Sequence, residues 1–191
     1  MARGQIYGII PSGGGAFIKS IQYGTVTITP TSVLTGTATI SAVDTDNSYV
    51  IHNGEENSSQ DGEWGDMFCY LVLTNGTTIT ATRNQGDNYS FTCDFCVIEY
   101  EPGVVKSKQS GVLLIPANSA SATVTVSAVT KAKAMLVKTG QTTSSAATDT
   151  DEADENLAKI TLTNNTTVTA VRDQGSGSPN MWVSWQLIDY N

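Results

Sequence analysis

Positive charge is scarce in this sequence: ten Lys and Arg stand against eighteen Asp and Glu, a formal net charge of -8 over 191 residues. A nonspecific grip on nucleic acid needs clustered cations to neutralise phosphates, so nucleic acid is not an expected partner. Long apolar runs are missing too. Nothing approaches the roughly 20 residues that a membrane helix needs, and Met1-Ala2-Arg3-Gly4-Gln5-Ile6 lacks the apolar core of a signal peptide. The expectation is a protein made in a cytoplasm, with no membrane partner. Cysteine occurs three times, at Cys69, Cys93 and Cys96, an odd count that does not look like a disulfide framework. Histidine occurs once, so no pair of imidazoles is available for a two-histidine metal site.

What is abundant is Thr, Ser, Val, Gly and Asn, in short alternating runs punctuated by Gly, Asn and Pro, with no window of helical apolar spacing. That pattern predicts an all-β protein. The runs also recur. Lys19-Ser20-Ile21-Gln22-Tyr23-Gly24 returns as Lys106-Ser107-Lys108-Gln109-Ser110-Gly111, and Thr39-Ile40-Ser41-Ala42-Val43 as Thr125-Val126-Ser127-Ala128-Val129. Leu73-Thr74-Asn75-Gly76-Thr77-Thr78-Ile79-Thr80-Ala81 returns as Leu162-Thr163-Asn164-Asn165-Thr166-Thr167-Val168-Thr169-Ala170, and Ile98-Glu99-Tyr100 as Ile188-Asp189-Tyr190. The offset drifts only between 86 and 90 (125 − 39 = 86; 188 − 98 = 90), as two colinear copies with small loop insertions would give.

The expected architecture is therefore two tandem antiparallel β-sandwich domains related by internal duplication, at 17–100 and 104–190, joined by Glu101-Pro102-Gly103. Residues 1–16 have no counterpart and form a Gly-rich arm whose Ile6, Tyr7, Ile9 and Ile10 are the expected assembly contacts. Within a copy, strands are expected near 17–22, 25–29, 37–42, 48–52, 67–74, 77–83 and 92–100. Asn75-Gly76 marks a hairpin turn between two of them.

Chemistry is sparse. His52 has Lys138 as its counterpart and no flanking nucleophile motif, so it reads as a surface or strand-edge residue. Cys93 and Cys96 have Cys-x-x-Cys spacing, but on a strand residues three apart face opposite ways, and Val183 and Gln186 replace them in the second copy. They read as buried, reduced thiols. The acidic run Asp149-Thr150-Asp151-Glu152-Ala153-Asp154-Glu155 lacks the spacing of a calcium loop and reads as solvated. Lys19 and Lys106, Arg83 and Arg172, and Glu99 and Asp189 recur in both copies, as fold-stabilising ion pairs or stems would. Trp64, Trp182, Trp185, Tyr89 and Phe91 could stack on sugars, yet they do not recur at matched loop positions. No catalytic residue, cofactor or metal site is expected.

The pattern Lys-Ser-x-Gln-x-Gly, then a Thr/Val-rich strand ending Ser-Ala-Val, then an apolar strand ending in Gly, spans Lys19 to Gly54 and Lys106 to Gly140. It resembles small β-domains of structural proteins of tailed bacteriophages. The resemblance implies a non-enzymatic virion component, a capsid decoration or cement protein or a head-tail accessory. Its partners would be capsid or tail subunits and further copies of itself, a trimer being the first guess because three duplicated chains present six similar domains. The competing reading is a receptor- or carbohydrate-binding module of a tail fibre or adhesin.

Overall fold

The protein, seen as a computed structural model, is described over residues 17–29, 34–58, 64–85, 89–144, 153–173 and 178–191. The arm with Ile6, Tyr7, Ile9 and Ile10, and residues 149–152 of the acidic run, lie outside these described residues. The chain is all-β. Its first six strands are β1 (Ile18–Ile28), β2 (Thr35–Thr39), β3 (Ser48–Asn57), β4 (Tyr70–Asn75), β5 (Thr78–Thr82) and β6 (Phe91–Tyr100). The other six are β7 (Val105–Ile115), β8 (Ser121–Thr125), β9 (Ala134–Thr143), β10 (Lys159–Asn164), β11 (Thr167–Val171) and β12 (Met181–Tyr190). Two single-turn helices, α1 (Trp64–Met67) and α2 (Ala153–Asn156), precede β4 and β10. No described helix is long and apolar enough to cross a membrane.

All pairing is antiparallel. Strand β6 lies between β1 and β3, and β5 between β2 and β4. Strand β12 lies between β7 and β9, and β11 between β8 and β10. Val26, Leu71, Ile79, Phe91, Phe95 and Val97 fill one core, and Ile115, Val168, Met181, Val183, Trp185 and Leu187 another; alternation buries one face of β5 and β11, whereas β12 is buried on both faces from Val183 to Asp189. At about 1.5–3 kcal/mol for each fully buried large aliphatic or aromatic side chain, these cores dominate what holds the sheets face to face.

The strands expected at 17–22 and 25–29 are one continuous strand. Gly24 does not turn the chain; it leaves room for a ring, since a Cβ there would lie 2.6 Å from Phe95 Cζ. Gly111 does the same beneath Trp185, whose Cζ2 would lie 3.2 Å from an added Cβ. Trp185 is thus core, as is Phe91, which leaves no joint aromatic platform between them. At the β4–β5 turn, positive φ is not the device, for Gly76 is absent from the described residues that adopt it. Asn75 Oδ1 instead accepts the Thr77 N–H at 2.9 Å, and Asn164 Oδ1 accepts the Thr166 N–H at 2.8 Å. Asparagine at the first position therefore makes the turn, whether Gly76 or Asn165 follows.

The recurring charges meet inside this frame. Lys19 Nζ is 2.8 Å from Glu99 Oε1 and Lys106 Nζ is 3.0 Å from Asp189 Oδ2, both carboxylates being buried. Among the described residues Arg172 pairs with no carboxylate; its guanidinium donates to the backbone carbonyls of Pro116, Ser119, Glu155 and Pro179.

Candidate functional site

A bulge in β3 brings a histidine, a carboxylate and two thiols together. An unbroken strand would turn His52 and Glu55 to opposite faces, but the β3–β6 register shifts between His52 and Gly54, where Gly54 has φ +138°. Both side chains consequently point into one cleft, 16% and 21% exposed, with Glu55 opposite Cys93 in the ladder. Cys69, just ahead of β4, closes the cluster. One metal-ligating atom from each of His52, Cys69 and Cys93 lies within 4.8 Å of the others. His52 Nε2 is 3.2 Å from Glu55 Oε2 and 3.9 Å from Cys69 Sγ, and the Cys69 N–H donates to Glu55 Oε2 at 3.0 Å.

The electrostatics follow from this crowding. A hydrogen bond from Cys69 lowers the Cys93 thiol to about 6 against the opposing effect of burial, with further help from His52. Burial acts to lower the His52 imidazole, but Cys93 and Glu55 outweigh it and raise the ring to about 9. Sharing with Cys93 and burial push the Cys69 thiol up. Imidazolium and Cys93 thiolate thus stabilise each other.

Sequence reasoning set Cys93 and Cys96 on opposite faces of a strand as buried, reduced thiols and named no partner for either. In the fold Cys93 meets Cys69, 24 residues earlier (93 − 69 = 24), while Cys96 is buried away from the cluster. His52 does lie on a strand that ends its hydrogen-bonded sheet, but its side chain faces inward. The missed signal was the glycine at position 54, the mark of a bulge in an otherwise regular strand.

The same cleft, about 260 Å³, is walled on its other side by Lys138, Gly140, Gln141 and Leu157. Lys138, the counterpart of His52, donates to Gln141 Oε1 and to Ala158 O, the latter at 2.6 Å. Gln141 stands at the offset of Glu55 (141 − 55 = 86) and Ala158 at that of Cys69 (158 − 69 = 89). Ala158 N donates to Gln141 Oε1 at 3.0 Å, just as Cys69 N does to Glu55.

A second feature is the joint between β1–β6 and β7–β12. Tyr70 of β4 pairs with Gly140 of β9, and Gln141 N donates to Cys69 O at 3.0 Å. Thr139 Oγ1 and Ser184 Oγ both donate to Leu71 O, Gln186 exchanges two hydrogen bonds with the Val50 backbone, and Lys108 Nζ donates to Thr45 O. Gly140 makes the approach possible. Its φ is +118°, and a Cβ would lie 2.3 Å from Cys69 O. Gly54 has a similar conformation with nothing within 4 Å of an added Cβ. Tyr23, on β1 of that same sheet, is 75% exposed, and Ile18 and Ile21 are exposed beside it.

No family model matches the chain, and no curated protein or solved structure is significantly similar to it.

Proposed function

We propose that the chain is a structural subunit that assembles by repeating, between copies, the joint that links its own two halves. The reading takes 17–100 and 104–190 as two copies of one domain. In its favour, β1–β6–β3 and β2–β5–β4 have the same pairings as β7–β12–β9 and β8–β11–β10. The observation that carries it is the contrast between two glycines: Gly140 is pressed against Cys69 and Tyr70, whereas its counterpart Gly54, with the same backbone requirement, faces open space.

A backbone held in a glycine-only conformation is costly and is kept where something needs the close approach. The complementary surface is β10, counterpart of β4, which ends the β10–β11–β8 sheet as β3 ends the β1–β6–β3 sheet. Docking Ala158-Lys159 of one copy onto Gly54 of the next sets Lys159 beside Glu55 and Glu56, an attraction of opposite charges. Exposed sheet ends are natural templates for such pairing. The contact is head-to-tail, so it generates a ring where the rotation closes and a filament where it does not. A trimer is the smallest ring that presents six domains.

Together with the resemblance of its residue pattern to tailed-phage structural proteins, this supports reading the chain as a virion component of the decoration, cement or head-tail accessory type. Its further partners are capsid or tail subunits, reached through the arm residues Ile6, Tyr7, Ile9 and Ile10. Sedimentation and native mass measurements should find concentration-dependent oligomers of the whole chain, weakened by Lys159→Glu and restored by adding Glu56→Lys. A monomer at every soluble concentration would sink the self-assembly reading. Selective glycan binding by such a monomer would favour the receptor-binding alternative.

A further inference from the structure

We infer that His52, Cys69 and Cys93 form a site for a borderline-soft divalent cation, zinc above all, that fastens the β3 bulge to the start of β4 and to β6, with the Glu55 carboxylate beside it on the His52 and Cys69 side. The inference is independent of whether copies assemble.

Geometry is the first support. With zinc–sulfur bonds of about 2.3 Å and zinc–nitrogen or zinc–oxygen bonds near 2.0–2.1 Å, tetrahedral ligands stand about 3.6 Å apart for sulfur and nitrogen and about 3.3 Å for nitrogen and oxygen. The observed separations are 3.9 Å from His52 Nε2 to Cys69 Sγ and 3.2 Å from His52 Nε2 to Glu55 Oε2. The His52–Cys69 pair is already near its coordination distance, and Cys93 Sγ lies within 4.8 Å of both.

Direction is the second support. One ring nitrogen of His52 faces both the Glu55 carboxylate and the Cys69 sulfur. A relay of acid, base and nucleophile would place the carboxylate on the other ring nitrogen, leaving this one for the thiol. Convergence of a carboxylate and a thiol on one nitrogen is instead how ligands surround a cation. Two thiolates and an imidazole prefer zinc or a similar metal to calcium or magnesium, which want oxygen.

The third support is the other half of the chain. Where the first half has His52, Glu55 and Cys69, the second has Lys138, Gln141 and Ala158, and the Lys138 ammonium bonds both Gln141 Oε1 and Ala158 O. A built-in cation occupies that position in one half. In the other half His52 and two thiols, with Glu55 beside them, surround the corresponding point, and a divalent ion there balances the two thiolates. Lys138, in the wall of the same cleft, offsets the remaining excess. Binding releases two protons to solvent, one from the Cys69 thiol and one from the His52–Cys93 pair, with no change in oxidation state.

The test is titration of the reduced, metal-free full chain with Co²⁺ under anaerobic conditions. One equivalent should produce the thiolate-to-cobalt charge-transfer band and the intense visible bands of a tetrahedral ion, and Zn²⁺ should displace it. Cys69→Ser and Cys93→Ser should each lose or shift the charge-transfer band, while Cys96→Ser should leave it unchanged. Should the buried cysteine variants fail to fold by circular dichroism, His52→Asn at the cleft rim must still weaken binding. Zn²⁺ should raise the melting temperature of the parent chain, and less so that of His52→Asn. Absence of thiolate bands, bands indifferent to His52→Asn, or a Cys69–Cys93 disulfide that persists in reductant would each overturn the site.

Discussion

Single atoms decide much of this molecule, and the two bulge glycines give the clearest measurement. Gly54→Ala should cost about 1–3 kcal/mol, the strain of a side chain in a glycine-only conformation. Gly140→Ala carries the same strain and also drives a methyl into Cys69 O, adding about 1–3 kcal/mol of overpacking. Urea unfolding at concentrations low enough to keep the chain monomeric should separate them; equal costs would mean the joint is not tight. Lys108 tests burial at that joint differently. Burial lowers its ammonium to about 8, against the weaker pull of Asp46 and Asp44. Between about 8 and the ordinary lysine value the unfolded chain holds this proton more firmly, so Lys108 makes stability rise with pH across that window. Below about 8 its cost is fully present. Lys108→Met should therefore stabilise the chain at pH 7 by roughly 1–2 kcal/mol, after allowing for the lost hydrogen bond to Thr45, and the gain should shrink by pH 10.

Within and between strands, buried carboxylates act as fasteners. Glu99 on β6 accepts Lys19 Nζ and Ser20 Oγ from β1, and the Asp44 N–H from the loop before β3, so one side chain ties three segments. Burial works to raise its carboxyl, yet the Asp44 N–H, Lys19 and Ser20 together hold it below its ordinary value. Glu99→Ala strands those donors and should cost about 2–3 kcal/mol by chemical denaturation. Lys19→Ala should cost clearly less, because its ammonium is half exposed and water replaces the carboxylate. Equal losses would make the ion pair, rather than the backbone contact, the fastener. The turns obey the same economy of side chains: Asn75→Ala removes the acceptor of the Thr77 N–H and should destabilise the β4–β5 hairpin by about 1 kcal/mol, read by chemical denaturation.

At the scale of the whole chain, the two cores are separate and the joint between them is largely polar, built from Gln186, Thr139, Ser184 and backbone groups. Interfaces of this kind resemble those between subunits more than the inside of a domain. Expression of residues 104–190 alone should give a folded unit with cooperative unfolding, and of 17–100 likewise. Calorimetry of each piece checks this, and failure of both to fold would mean the halves are one cooperative body rather than two domains.

The all-β class was legible in the sequence because a period of two is a local property of a half-buried strand. Lys19 with Glu99 and Lys106 with Asp189 were legible as recurring opposite charges for the same reason: matched positions repeat. Strand continuity through Gly24 was not, since a glycine that turns the chain and one that makes room for Phe95 are the same letter. The cluster of His52, Glu55, Cys69 and Cys93 was hidden more deeply. Its members come from three strands or their flanks, and a one-residue bulge reverses which way His52 and Glu55 face. The sequence by itself determined where strands form and which faces are apolar. Only the tertiary structure decided that Cys93 meets Cys69 rather than Cys96, and that Gly140 is covered while Gly54 is open, because both depend on contacts between residues far apart in the chain.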